Sequence, residues 1–182
     1  MTWRVFLLLA RRESFMHALL WWFSGRLRVR VIHIDGQPYL ERYALFRCRW
    51  FTVYLHRFVT QDEERWLHNH PWRWSCGIPL CGGYLEERLR WLDPVEGLVI
   101  DVRNVKRFRI NHISARTFHR IVWIEANTWT LFLHTPKCKG WGFLRHVEQE
   151  GQVNALIYEQ PFTGEQEADF PINAPTGREI RT

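Results

Sequence analysis

Nine histidines occur in this 182-residue chain, at positions 17, 33, 56, 68, 70, 112, 119, 134 and 146. Imidazole binds transition metals and moves protons near neutral pH. The informative spacing is Leu67-His68-Asn69-His70-Pro71-Trp72. Residues two apart on a strand point the same way, so a strand here puts His68 and His70 on one face. Pro71 biases His70 toward an extended backbone. Two adjacent imidazoles can share one ion, but such pairs also occur on ordinary surface strands. A third ligand must come from elsewhere, and Phe118-His119-Arg120-Ile121 lies in a strand-like run 49 residues beyond His70.

The elements that must position these groups read mostly as strands. Ser14 suits a helix start and Gly25 a helix end, so Phe15–Ser24 is expected to form a short helix, apolar on nearly every side. From Arg26 the period changes to two: Arg26, Arg28 and Arg30 alternate with Leu27, Val29 and Val31. Further strands are expected over Tyr39–Arg47, Phe51–Val59, Trp74–Leu80, Tyr84–Leu92, Leu98–Arg103, Lys106–Asn111, Thr117–Glu125, Thr128–Thr135, Trp141–Val147 and Val153–Tyr158. Gly36-Gln37-Pro38, Gly82-Gly83, Asp93-Pro94-Val95-Glu96-Gly97 and Ala126-Asn127 are turn signals between them. Many short strands with frequent turns predict an all-β sandwich or barrel. The organisation expected is a helical segment over 1–25, a barrel over 26–159 and an extended tail over 160–182.

Composition narrows the class. The chain is 46% hydrophobic and 24% charged, which excludes a largely disordered protein. Its 11 Trp, 12 Phe and 5 Tyr call for a thick core or an aromatic-lined cavity. The net charge is +6, and 22 of the 25 basic residues are arginine. Residues 151–182 carry two basic and five acidic side chains, so residues 1–150 carry +9. A basic body attracts anions, yet no nucleic-acid motif is present, and nucleic acid is not the expected partner. The four cysteines have no CxxC spacing, which fits a reducing, cytoplasmic setting. Val5–Ala10 is short for the core of a signal peptide, and no run reaches the roughly 20 apolar residues of a membrane span.

The longer string runs from Tyr54-Leu55-His56-Arg57-Phe58 through His68-Asn69-His70-Pro71-Trp72, Gly82-Gly83-Tyr84, His119-Arg120-Ile121 and Trp129-Thr130-Leu131-Phe132 to Trp141-Gly142-Phe143. It resembles the small single-domain cupins of bacteria and phages, over about residues 38–145. The resemblance implies a cupin-type β-barrel (a double-stranded β-helix, or jelly roll). Within it His68, His70 and His119 would converge on one divalent metal. The departures are specific. The usual first motif has a glutamate ligand four or five residues after its second histidine, where this chain has Trp74 and Ser75. The glycine spacing aligns Ser75 with that glutamate, whereas strict strand parity from His70 turns Trp74 and Cys76 inward. The proline and glycine that precede the histidine of the second motif are replaced by Ser114 and Arg116, and its downstream asparagine by Trp123.

A three-histidine set resembles that of the thiol dioxygenases, which implies Fe(II) and an oxygenase acting on a small polar or anionic molecule. Zn(II), Mn(II), Ni(II) and Cu(II) also accept imidazole, and zinc would point to hydrolysis. The other readings are a non-catalytic cupin that binds a metal or small ligand, and a phage-assembly or nucleic-acid-associated protein using its basic surface. Glu86 and Glu87 follow the glycine pair, and one of them is a candidate to stand behind a histidine, against the blander reading of a wet strand face. Tyr84 and His56 are pocket candidates. Arg57, Arg47 and Arg116 are candidates to meet an anion at the barrel mouth, against the blander reading of solvated arginines. By analogy with barrels that pair through edge strands, a homodimer is expected.

Overall fold

Alternating apolar and polar residues bury one face of a strand and leave the other for solvent or a cavity. The chain uses this repeatedly. The computed structural model describes residues 15–34, 36–60, 66–93, 97–149, 152–159 and 173–181. One helix, α1, covers residues 15–24. Twelve strands follow among the described residues: β1 Val29–Ile34, β2 Gln37–Arg47, β3 Thr52–Phe58, β4 Leu67–Asn69, β5 Trp74–Cys81, β6 Tyr84–Asp93, β7 Gly97–Val105, β8 Asn111–Ser114, β9 His119–Ile124, β10 Trp129–His134, β11 Gly142–Gln149 and β12 Gln152–Glu159. The expectations for Val5–Ala10 and for 160–172 fall outside the described residues. Among those described, no helix is long and apolar enough to cross a membrane.

The strands form two six-stranded sheets, ordered β1-β2-β3-β10-β5-β8 and β12-β11-β4-β9-β6-β7. Strand β3 pairs antiparallel with β10, β4 with β9, β5 with β8 and β6 with β7. The segment β3–β10 is thus one long antiparallel ribbon, turning back at the β6–β7 hairpin. Successive rungs of the ribbon fall in opposite sheets, which is the topology of a jelly roll. Hairpin β1–β2 widens one sheet, and β11–β12 widens the other.

Register decides which side chains face the space between the sheets. Arg42, His56 and Thr130 are side by side on β2, β3 and β10, and Tyr54, Phe132 and Gly77 occupy another row. The opposite face of the same sheet carries Val29, Tyr43, Leu55 and Trp129, packed with Leu20 of α1 and Cys81 into a separate apolar cluster. The barrel therefore has a core inside and another on its back. Met16, Leu20 and Ser24, four residues apart, form the stripe of α1 that turns inward. Phe15 and Trp22 remain exposed on its outer face.

The chain end returns to this second core. Thr176 bridges Arg28, the Gly177 N–H donates to the Leu27 carbonyl, and a single 3-10 turn spans Glu179–Arg181. The Arg181 guanidinium lies 3.5 Å from the Trp21 ring centre and donates to the Trp21 carbonyl, Ser24 Oγ and Tyr43 Oη.

One expected strand is corrected. Lys106–Asn111 does not continue as a strand; β7 ends at Val105 and a turn follows. Phe108 adopts a left-handed φ of 61°, which no strand tolerates, and Asn111 opens β8.

Candidate metal centre

His68 lies in the middle of β4, directly opposite His119 at the start of β9. His70 follows the last residue of β4, at the chain bend that begins with Pro71. The three imidazoles are buried. Their ring centres are 5.6 Å apart for His68 and His70, 4.9 Å for His68 and His119, and 4.8 Å for His70 and His119. One ring nitrogen from each lies within 4.8 Å of the others.

The outer nitrogens establish which atoms converge. His68 Nδ1 is 3.2 Å from the Trp66 carbonyl, which can only accept, so this nitrogen carries the proton. Ser75 Oγ spends its proton on the Ile113 carbonyl, so at its 3.4 Å contact with His70 Nδ1 it too can only accept. Glu86 Oε1 lies 2.6 Å from His119 Nδ1, a close contact of carboxylate oxygen and ring nitrogen that is not aligned as a straight hydrogen bond. A carboxylate there favours the proton on Nδ1. All three Nε2 atoms then turn an acceptor lone pair toward the same space, those of His70 and His119 only 2.9 Å apart. Lone pairs at that distance repel unless something positive sits among them. A divalent cation fits this donor set, because neutral imidazole is a ligand for Fe, Zn, Ni and Cu alike.

Behind His119 lies a closed polar network. Arg88 donates to Glu86 through Nε at 3.0 Å and Nη2 at 3.4 Å, and to Asn111 Oδ1 through Nη2. Asn111 Nδ2 donates to Glu86 Oε2 at 3.0 Å and to Tyr84 Oη at 2.9 Å. Burial alone would raise the Glu86 carboxyl; the His119 contact and the Arg88 charge outweigh it and hold the group below the usual carboxylate range. Burial pushes the Tyr84 hydroxyl well up, so it stays protonated.

The histidines open onto a cavity of about 540 Å³ between the two sheets. Trp72, Phe132 and Trp141 supply aromatic wall beside His70, with ring centres 5.1, 6.0 and 5.2 Å away. Tyr84, Glu86 and His56 also line it. A smaller cavity of about 270 Å³ shares Trp72 and Lys137 with the first.

The open question at 74–76 resolves toward Ser75, which is fully buried against His70. Residues 70–73 are not strand, so parity cannot be counted from His70 across them. Trp74 instead packs at a tilt against His112, and Cys76 sits opposite His112 in the β5–β8 pair. The three arginines expected at the mouth go elsewhere. Arg57 is on the back of the sheet, bonded to Glu41 at 2.9 Å and to Asn127 at 2.9 Å. Arg47 lines the smaller cavity, and Arg116 sits in the turn after β8, away from both. Arg30, Arg42 and Lys137 line the main cavity instead. The sequence reading also missed Arg88 and Asn111. The alternation Tyr84-x-Glu86-x-Arg88 was a usable signal, since opposite charges two apart on one strand face are positioned to pair.

No family model matches this sequence, and no curated protein does either. Solved structures similar to it include KdgF from Halomonas sp., 15% identical with a TM-score of 0.41, covering 58% of this chain and 86% of that one. A cupin domain from Bordetella pertussis is 16% identical with a TM-score of 0.39, covering 54% of this chain and 95% of that one. A sugar phosphate isomerase from a cupin superfamily of Silicibacter pomeroyi is 10% identical with a TM-score of 0.44, covering 76% and 94%. These are similarities of fold. The strand order and the convergence of His68, His70 and His119 stand on the chain's own geometry, and the strand order is that of a double-stranded jelly roll.

Proposed function

We propose that this chain is a metal-dependent enzyme of cupin type, a non-haem Fe(II) oxygenase acting on a small polar or anionic molecule. His68, His70 and His119 hold the ion through Nε2. The observation that carries the reading is the placement of the outer nitrogens: each Nδ1 lies against an oxygen, which turns the three Nε2 atoms inward. A bound ion would supply Lewis-acid chemistry there and, as Fe(II), O₂ chemistry. The chain's own residues bind and shield. Glu86 keeps the His119 proton on Nδ1, and Ser75 does the same for His70. Trp72, Phe132 and Trp141 exclude water from one side of the histidines.

The test is elemental analysis of untagged protein beside His68→Ala, His70→Ala and His119→Ala. About one equivalent of metal in the parent, lost in each variant with the β-sheet circular dichroism retained, is the expected result. Three variants that keep full metal would place the ion elsewhere and overturn the reading. O₂ uptake by Fe(II)-loaded protein over a panel of small acids, thiols and sugars then tests the oxygenase assignment. Metal without uptake on any of them would leave a binding protein.

A further inference from the structure

We infer that the cavity holds its ligand by an acceptor oxygen, a carbonyl or carboxylate, which takes hydrogen bonds from the Tyr84 hydroxyl on one sheet and from His56 Nδ1 and the Thr130 hydroxyl on the other. This deepens the reading above by naming the substrate class of the same site.

Three observations carry it. The first is a set of hydrogens that the protein leaves unused. Tyr84 Oη accepts from Asn111 Nδ2 at 2.9 Å, and its own proton meets no acceptor among the described residues. His56 Nε2 accepts from Arg42 Nε at 3.2 Å, so the proton of the neutral ring sits on Nδ1. Among the described residues nothing accepts from that nitrogen. Thr130 is the direct partner of His56 across β3 and β10, and its hydroxyl is likewise unbonded among the described residues. All three side chains are buried and line the same cavity. Buried polar groups almost always have a partner, and here the cavity is the side left open for one.

The second is orientation. Asn111 Oδ1 accepts from Arg88 Nη2 at 2.6 Å, which turns the Asn111 NH₂ toward Tyr84 and Glu86. The tyrosine must therefore accept on that side and donate elsewhere. The network that backs His119 thus also aims a neutral donor.

The third is position. A Cβ added at Gly77 on β5 would lie 3.4 Å from Tyr84 Oη and 4.0 Å from Phe132 Cδ2. The Tyr84 hydroxyl, carried by β6, therefore reaches across the interior to the opposite sheet and stops beside Phe132. The Phe132 ring centre is 4.9 Å from that of His56 and 6.0 Å from that of His70. The unused donors and the histidine cluster thus border one aromatic ring. A ligand lying on that ring can set an oxygen against the donors and turn the rest of its skeleton toward His70. Apolar walls with a few converging polar groups are the usual make-up of a small-molecule site.

The experiment titrates cyclohexanone, cyclohexanecarboxylate and methylenecyclohexane into metal-free protein labelled with carbon-13 at tyrosine Cζ. The three probes share one ring and differ in bearing a neutral acceptor, a charged acceptor or none. Tyr84→Phe identifies the Tyr84 line among the five tyrosines. The ketone or the carboxylate is expected to bind and shift that line, and the ratio of the two separates a neutral from a charged acceptor. Methylenecyclohexane is expected to bind more weakly and leave the line in place. Tyr84→Phe and Thr130→Val should each weaken binding of the preferred oxygen probe roughly two- to tenfold and leave methylenecyclohexane unaffected. Arg116→Gln should change neither. Equal affinity for all three probes, no binding of either oxygen probe, or equal weakening of oxygen-bearing and oxygen-free probes in both variants would overturn the inference, the last because it marks a purely structural role. The protein is metal-free, so the outcome is separable from the metal reading. A preference for oxygen in a chain that holds no metal sinks only the metal reading. One equivalent of metal without that preference sinks only the present inference.

Discussion

Glu86→Gln probes the network behind His119 with a change of one atom. Every neighbour of the Glu86 carboxylate is a donor: His119 Nδ1, Arg88 Nε and Nη2, and Asn111 Nδ2. A carboxylate presents only acceptor oxygens to all of them, whereas an amide must turn its NH₂ toward one. The least costly relief is for His119 to move its proton from Nδ1 to Nε2, where it blocks the lone pair that faces His68 and His70. Loss of such a partner behind a ligand typically costs 10–100-fold in metal affinity, or about 1.4–2.7 kcal/mol. A second cost falls on the fold. Arg88 is only 9% exposed, and losing the charge of its fully buried partner leaves a guanidinium compensated by neutral groups alone. Breaking a buried pair costs about 3–5 kcal/mol, and the retained amide oxygen puts this change at about 3. At roughly 2–4 °C per kcal/mol for a chain of this size, the melting temperature should fall by roughly 6–12 °C.

The assays are Co(II) titration by absorbance for affinity and urea unfolding of metal-free protein for stability. Glu86→Gln with Arg88→Met separates the two effects. Removing the uncompensated cation should recover part of the stability, since replacing a whole buried pair by apolar groups is often near neutral. It should not recover full metal affinity, because an amide oxygen is a weaker acceptor for the His119 proton than the carboxylate it replaces. Wild-type affinity in Glu86→Gln would refute the tautomer argument, and equal recovery of both properties in the double variant would refute their separation.

Acid should expose His56. Burial, with the charges of Arg42 and His134, keeps its imidazole well below the usual 6.5, while the unfolded chain takes up the proton near that value. The unfolded state therefore binds more protons below pH 6.5, and folding stability should drop there by about 1.4 kcal/mol per pH unit from this site. Urea unfolding of metal-free protein at pH 7.5 and 5.5 should show a shallower loss in His56→Gln, and an equal loss in both proteins would refute it. Gly82→Ala should destabilise sharply. Its φ is +67°, and an added Cβ would clash with Thr128 Oγ1 and meet Thr128 Cα at 3.2 Å. Left-handed strain and overpacking together amount to about 2–5 kcal/mol, and a melting temperature within 2–3 °C of the parent would mean that the turn relaxes freely.

Several features were legible because they depend only on local chemistry. Period-two alternation marked most of the strands, and the 15–24 helix follows from its caps and apolar run. The His68-x-His70 pair was visible as a pattern, and the family resemblance supplied His119. Lys106–Asn111 misled because β-propensity does not register the left-handed Phe108 that breaks the run. Arg30 looked like one residue of a solvated basic stripe, and the structure turns it into the cavity wall. Arg57 and Arg42 are the same residue type on adjacent strands. Only the β2–β3 register sets Arg42 beside His56 in the cavity and Arg57 beside Glu41 on the back.

The sequence by itself determined most of the elements, the aromatic load and the donor types, because these follow from residue chemistry and spacing along one chain. Which face of each strand closes the barrel is a property of pairing between strands far apart in sequence. That pairing sets His119 against His68 and assembles Glu86, Arg88 and Asn111 into one network. A one-residue slip in any of these registers would send the same side chains to the opposite face. The tertiary structure therefore decided which histidine nitrogens converge, which carboxylate stands behind them and which arginine faces them.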